Sequence, residues 1–209
     1  MTNLAANLQI YIIFERFVLT LPRFRKDWRH RQLLNRIITI KTDTEIMEIK
    51  DIRIGNGYDV HALAPGLPLH LGGILIESPL GCIAHSDGDV AIHALCDALL
   101  GALALGDIGR HFPDTSDEFK GIDSRILLRR TMDLVSGAGY EVGNADITIA
   151  LQKPKLAPYI LSMREELASL MSVPVSSVSV KATTTEKLGF VGRSEGCEVY
   201  AVVLLLKTV

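Results

Sequence analysis

The chain has 209 residues, 48% of them apolar and 22% charged, with a formal net charge of −2. That is the composition of a globular protein with room for one sizeable core, and it carries no overall basic bias of the kind nucleic-acid binding needs. No run reaches the roughly 18 consecutive apolar residues of a membrane-spanning helix, so no membrane partner is expected.

The charge is uneven. Residues 1–46 hold eight Lys/Arg against four Asp/Glu, which leaves the remainder acidic. An acidic domain still binds phosphates when metal ions supply the positive charge. The three cysteines (Cys82, Cys96, Cys197) are odd in number, scattered and without a C-x-x-C motif. They read as free thiols in a reducing compartment.

In chain order, the apolar stretch QIYIIFERFVLT (9–20) precedes the basic stretch RFRKDWRHR (23–31), the reverse of a secretory signal. No serine occurs before Ser78, unlike a transit peptide. A basic amphipathic arm, an unusual targeting segment and an upstream translation start all fit. The last is favoured, with Met47 as the natural start, because a strand pattern begins soon after it. The chain is therefore divided into an N-terminal extension, residues 1–46, not native or disordered, and one domain, residues 47–209.

Ile52–Gly57 reads as a short strand ending in glycines. Leu67, Leu69 and Leu71 alternate, Gly72-Gly73 turns the chain, and Ile74–Ile76 returns as a hairpin strand. Ser86–Leu103 is predicted helical, with Ser86 and Asp89 as a capping box and a segment apolar nearly all round, hence buried. Gly106–Gly109 ends it, and FPDT at 112–115 is a turn. Ser124–Val135 is a second, amphipathic helix with Arg125, Arg129 and Arg130 outward. Ala145–Leu151 is a strand with Ile147, Ile149 and Leu151 on one face. Pro158–Met171 is a third helix, Val178–Lys181 a strand, and Glu198–Leu206 a buried one. This order predicts an α+β two-layer sandwich, a mixed sheet with helices on one face.

Asp59 and His61, at i and i+2 on extended chain, point the same way. His93 sits in the apolar helix, where a polar side chain needs a partner. Three Asp/His ligands with an open fourth position make a catalytic zinc-like site. Asp89 and Asp97 flank His93 at one-turn spacing, and either is expected to orient it. Each signal has a plainer reading: a histidine satisfied in the core, or Asp89 as a cap alone.

Three threonines, Thr183, Thr184 and Thr185, follow a strand and precede Glu186 and Lys187; hydroxyls and loop amides there suit phosphate oxygens. A carboxylate among phosphates needs a bridging cation, so Glu186 points to a second, magnesium-like ion. His85-Ser86 at a helix start and Arg193 between Gly192 and Ser194 are further anion candidates. The plainer readings are a strand-edge threonine run, ordinary capping and surface charge.

The strings IRIGNGYDVHAL, AHSDGDVAIHALCDALLGALALGDIG, FPDT, DSRILL and VKATTTEKLGFVGRSEG carry a specific resemblance. From about Ile52 to Leu206 the chain resembles the 2-C-methyl-D-erythritol 2,4-cyclodiphosphate synthase family; residues 1–46 take no part. The resemblance implies conversion of 4-diphosphocytidyl-2-C-methyl-D-erythritol 2-phosphate to the cyclic diphosphate with release of CMP, a step of non-mevalonate isoprenoid synthesis. It implies Zn2+ on Asp59, His61 and His93, and Mg2+ or Mn2+ on Glu186 with the substrate diphosphate. His85 and Thr184 match positions that stabilise the transition state. Substrate contacts map to Ser86, to Asp107, Ile108 and Gly109, and to Phe112, Pro113, Asp114, Thr115 and Ser116. A cytidine loop maps to Leu151, Gln152, Lys153, Pro154, Lys155, Leu156 and Ala157. The diphosphate end maps to Thr183–Glu186 with Phe190 and Arg193. Ser116 stands where the family often has an acidic residue. The implied assembly is a cytoplasmic homotrimer of bacterial type with sites between subunits. The final strand and the apolar helix are the elements expected at its axis.

Two rivals keep the same ligands. A metal-dependent phosphohydrolase uses water as nucleophile. A silent metal-binding module takes up metal without turnover.

Overall fold

The computed structural model describes residues 40–41, 46–47, 51–113 and 117–208. The chain splits into two compact units, Met1–Ile52 and Arg53–Val209. In the first, β1 (Ile40–Lys41) pairs antiparallel with β2 (Ile46–Met47). The rest of the extension lies outside the described residues.

The second unit is built on a five-stranded sheet. Its strands are β3 (Ile52–Pro65), β6 (Leu80–Cys82), β7 (Tyr140–Ala150), β8 (Val178–Thr183) and β9 (Gly196–Lys207), in the order β6-β3-β9-β7-β8. β7 and β8 run parallel, whereas β3/β6 and β7/β9 are antiparallel, so the sheet is mixed. The predicted hairpin is β4 (Leu69–Leu71) with β5 (Ile74–Ile76).

The helices are α1 (Val90–Ala102), α2 (Ile108–His111), α3 (Ser124–Gly137), α4 (Ile160–Met171) and α5 (Gly189–Gly192). α1 packs on β9, α4 on β8, and α3 against α1 and α4. Helices thus cover one sheet face, the α+β arrangement expected from the alternation of elements. Arg125, Arg129 and Arg130 point outward from α3 while Leu127, Leu128 and Val135 enter the core.

Three expectations are corrected. The first strand does not stop at its glycines but runs on to Pro65. α1 begins at Val90 with Asp89, not Ser86, as N-cap. β9 is buried only at alternate positions: Cys197, Val199, Ala201, Val203 and Leu205 face the helices, while Tyr200 and Val202 are exposed with Ile54, Tyr58 and Val60 of β3. α1 itself is enclosed within the chain, with ten buried positions between the sheet and α3.

Candidate metal centre

Gly55, Gly57, Asp59 and His61 occupy alternate positions of β3 and turn to the helix side. The glycines let the α1 backbone lie on the strand. A Cβ at Gly55 would strike the Ala98 carbonyl, and one at Gly57 the Ala94 carbonyl. This approach carries His93, the neighbour of Ala94, onto the next two inward side chains.

Asp59 Oδ2 lies 3.1 Å from His93 Nδ1 and 3.3 Å from His61 Nε2, and the two ring nitrogens are 3.3 Å apart. Ligand atoms around a tetrahedral ion at 2.0–2.1 Å stand about 3.3 Å from one another. The triangle therefore fits a divalent cation in both spacing and donor chemistry. It is the one such group of three or more His, Cys, Asp or Glu among the described residues. Asp59 is 24% exposed, His61 17% and His93 12%, so the site is shielded yet reachable from solvent.

Burial disfavours a charged His93, but the hydrogen bond and charge of Asp59, backed by Asp89 and Asp87, outweigh it and hold its pKa above the ordinary value. His61 moves the other way: burial lowers it, with Asp59 opposing and His93 assisting.

Neither Asp89 nor Asp97 orients His93. Asp89 is wholly buried and accepts four amide hydrogen bonds, from Gly72 (2.8 Å), Gly73 (2.6 Å), Ala91 (3.1 Å) and Ile92 (3.0 Å). Its carboxylate folds back on the free amides of the helix start, and there it also pins the β4–β5 turn. Asp97 accepts from the Ile108 amide at 2.7 Å and holds the start of α2. The far nitrogen of His93, Nε2, instead meets Ser124 Oγ at 2.9 Å and Ser86 Oγ at 3.2 Å. Ser124 went unmarked as a site residue; its one signal was its place in the DSRILL string.

The other candidates fall into three places. His85 is exposed beside the half-buried Ser86, in the loop before α1. Asp107 caps α2, taking the Arg110 amide at 2.9 Å, with Ile108 and Gly109 following it. Phe112 leads to Pro113 and packs edge-on against Phe119 at 5.7 Å. Asp114, Thr115 and Ser116 lie outside the described residues.

The third place is a cleft of about 570 Å³. It gathers Gln152, Lys153, Pro154 and Lys155 from the loop after β7 with Thr184 from the loop after β8. Parallel pairing of β7 and β8 brings those two loops to the same sheet end, with the Leu151 amide donating to the Thr183 carbonyl at 3.0 Å. Leu151 and Leu156 are buried and anchor the loop, whereas Ala157 is exposed. Ser78, Pro79, Leu80 and Ser194 also line the cleft; of these only Ser194 lies in a string that carries the resemblance, and the other three have no motif by which the sequence would show them.

Thr184 Oγ1 donates to Glu186 Oε1 at 2.8 Å, and Thr185 Oγ1 to the Leu188 carbonyl at 2.6 Å. Thr183 Oγ1 donates to the Thr184 carbonyl at 3.0 Å. Glu186 and Lys187 both take left-handed backbone, φ 51° and 66°, a strain that marks a built loop. Arg193 is exposed and paired with Glu195 at 2.8 Å through Nε and Nη2, which leaves Nη1 free of that pair. The Phe190 ring and the His61 carbonyl flank Gly196, where a Cβ would come within 2.9 and 3.0 Å of them. α5 therefore sits beside the metal-bearing strand.

Fold and ligand set together define an α+β domain with a candidate divalent-metal centre. The chain belongs to the YgbB family, whose family model matches residues 52–206. It is 61% identical over 154 residues to the 2-C-methyl-D-erythritol 2,4-cyclodiphosphate synthase of Syntrophobacter fumaroxidans, covering 74% of this chain and 97% of that one. It is 62% identical over 156 residues to the synthase of Ectopseudomonas mendocina, covering 75% and 99%. Among solved structures, the bifunctional IspDF of Campylobacter jejuni superposes with a TM-score of 0.72 at 46% identity, over 75% of this chain and 42% of that one. A CDP-bound cyclodiphosphate synthase superposes with a TM-score of 0.69 at 44% identity, over 73% and 99%.

Proposed function

We propose that this chain converts 4-diphosphocytidyl-2-C-methyl-D-erythritol 2-phosphate to 2-C-methyl-D-erythritol 2,4-cyclodiphosphate with release of CMP, in non-mevalonate isoprenoid synthesis. The observation that carries the reading is the Asp59–His61–His93 triangle on a chain about 60% identical to synthases of this name.

An oxygen of the substrate's 2-phosphate attacks the β-phosphorus of its diphosphate; the bond to the bridging oxygen breaks, and that oxygen leaves with CMP. No protein nucleophile takes part, and the buried cysteines suit that role poorly. The protein's work is positioning and charge stabilisation. The loop Leu151–Ala157 holds the cytidine end in the cleft, and Ser86, Asp107–Gly109 and Phe112–Ser116 make further substrate contacts. His85 and Thr184 stabilise the charge that builds at phosphorus. Thr183–Glu186, Phe190 and Arg193 line the diphosphate path.

Zn2+ on Asp59, His61 and His93, with Mg2+ or Mn2+ on Glu186, would draw negative charge off the diphosphate oxygens. The exposed apolar side chains of Ile54, Tyr58, Val60, Tyr200 and Val202 support association through this face, and the resemblance makes that assembly a homotrimer with active sites between subunits. Three free thiols support a cytoplasmic setting.

A ³¹P NMR product assay with metal added and chelated tests the reading. A cyclic diphosphate plus CMP is expected. Linear phosphate would assign a hydrolase, and metal uptake without turnover a silent module.

A further inference from the structure

Ser124 Oγ donates to Asp87 Oδ1 at 2.5 Å, and the Ser124 amide donates to Asp87 Oδ2 at 3.0 Å. Asp87 Oδ1 also accepts the Asp89 amide at 3.2 Å, while the Asp87 amide donates to the Ile122 carbonyl at 3.0 Å. Asp87 is thus tied to the starts of both α1 and α3. Ser124, wholly buried at the first position of α3, has one hydroxyl hydrogen, and that hydrogen points to Asp87. Toward His93 Nε2, 2.9 Å away, Ser124 Oγ has only lone pairs left to offer. The nitrogen facing it makes a hydrogen bond to Ser124 only when it carries the proton. Ser86 Oγ, 3.2 Å from the same nitrogen, accepts the Gly88 amide at 3.2 Å and keeps a second lone pair with which to accept from Nε2.

A neutral imidazole with its proton on Nε2 has its lone pair on Nδ1, and Nδ1 is the atom in the ligand triangle. We propose that Ser124 and Asp87 are a positioning pair for the metal centre, fixing His93 as the Nε2–H tautomer so that Nδ1 is free to bind a divalent cation. The Asp87 carboxylate acts through the Ser124 hydroxyl, which polarises the ring and raises the basicity of Nδ1. Neither residue belongs to the ligand triangle. The inference rests on the metal reading of Asp59, His61 and His93.

The test is Zn2+ affinity of the full-length protein by competition with a chromophoric chelator, for wild type, His93→Ala, Ser124→Ala and Asp87→Asn. Ser124→Ala and Asp87→Asn are each expected to weaken Zn2+ binding about 10- to 100-fold while the metal-free proteins keep a cooperative thermal transition. Long-range ¹H–¹⁵N spectra of the metal-free wild type at alkaline pH, where the ring is neutral, are expected to show His93 protonated on Nε2.

Wild-type affinity in Ser124→Ala and Asp87→Asn, with binding lost in His93→Ala, would overturn this inference and leave the metal centre standing. Equal Zn2+ binding by wild type and His93→Ala would overturn the metal centre itself. If Ser124→Ala does not fold, Asp87→Asn and the wild-type tautomer decide. A wild-type ring protonated on Nδ1 sinks the proposal without any variant.

Discussion

His93 presents Nδ1 to Asp59 Oδ2 at 3.1 Å although the two residues lie on different elements, 34 positions apart. The approach is possible because glycines, not side chains, separate α1 from β3 just before Asp59. Truncating the ring removes one of three ligands. His93→Ala is expected to lose stoichiometric Zn2+, read by elemental analysis, and to lower turnover by about a thousandfold, since a catalytic cation is worth several kcal/mol. A variant that keeps both metal and turnover would refute the assignment.

Protons and cation compete for the same His93 lone pair. The pKa of His93 is raised, so its proton is still held above the ordinary histidine value of about 6.5 and must be displaced by metal. Zn2+ affinity should therefore begin to fall while pH is still above about 6.5 and continue to fall as the solution is acidified. His61, lowered by burial, adds its share only further down. Calorimetric titration across pH checks this; an affinity flat down to pH 6 contradicts it.

Gly57→Ala would drive a methyl into the Ala94 carbonyl. Forcing β3 and α1 apart should cost about 3 kcal/mol in denaturant unfolding, the upper end of overpacking, and weaken Zn2+ binding by moving His93 away. Gly66→Ala is the comparison: nothing stands within 4 Å of its Cβ, although its φ of 78° keeps some backbone strain. Its Zn2+ affinity should match wild type.

Asp89→Ala strips four amides of their acceptor at a site with no solvent exposure. Loss of the cap and of buried satisfaction at Gly72 and Gly73 should cost at least about 3 kcal/mol. Urea unfolding with an unchanged midpoint would show that the cap contributes nothing.

Burial pushes the Cys82 and Cys96 thiols up to about 12 and raises Cys197 as well. With so little thiolate at neutral pH, all three should resist iodoacetamide in the native protein and react once it is unfolded. Mass spectrometry of native and denatured samples distinguishes these; a cysteine labelled at the unfolded rate in native buffer counts against the packing described.

The resemblance maps a cytidine loop onto Leu151–Ala157 and a diphosphate end onto the threonine segment, but it does not show that the two share a cleft. That requires β7 and β8 to lie side by side and parallel, a pairing across more than thirty residues that no local pattern encodes.

What the sequence determined was local direction. Period-two alternation sends Asp59 and His61 to one side of β3, and the apolar run of α1 makes His93 a polar residue needing a partner. It brought Asp59, His61 and His93 together correctly but misjudged what orients the ring: Asp89 and Asp97 are expected to do so because they share its helix line. Tertiary structure gave that place to Ser124, 31 residues away, and turned Asp89 toward the β4–β5 turn instead. The reason is physical. Spacing along a strand or helix fixes where a side chain points, but the backbone approach of α1 to β3 and the docking of α3 decide what it meets.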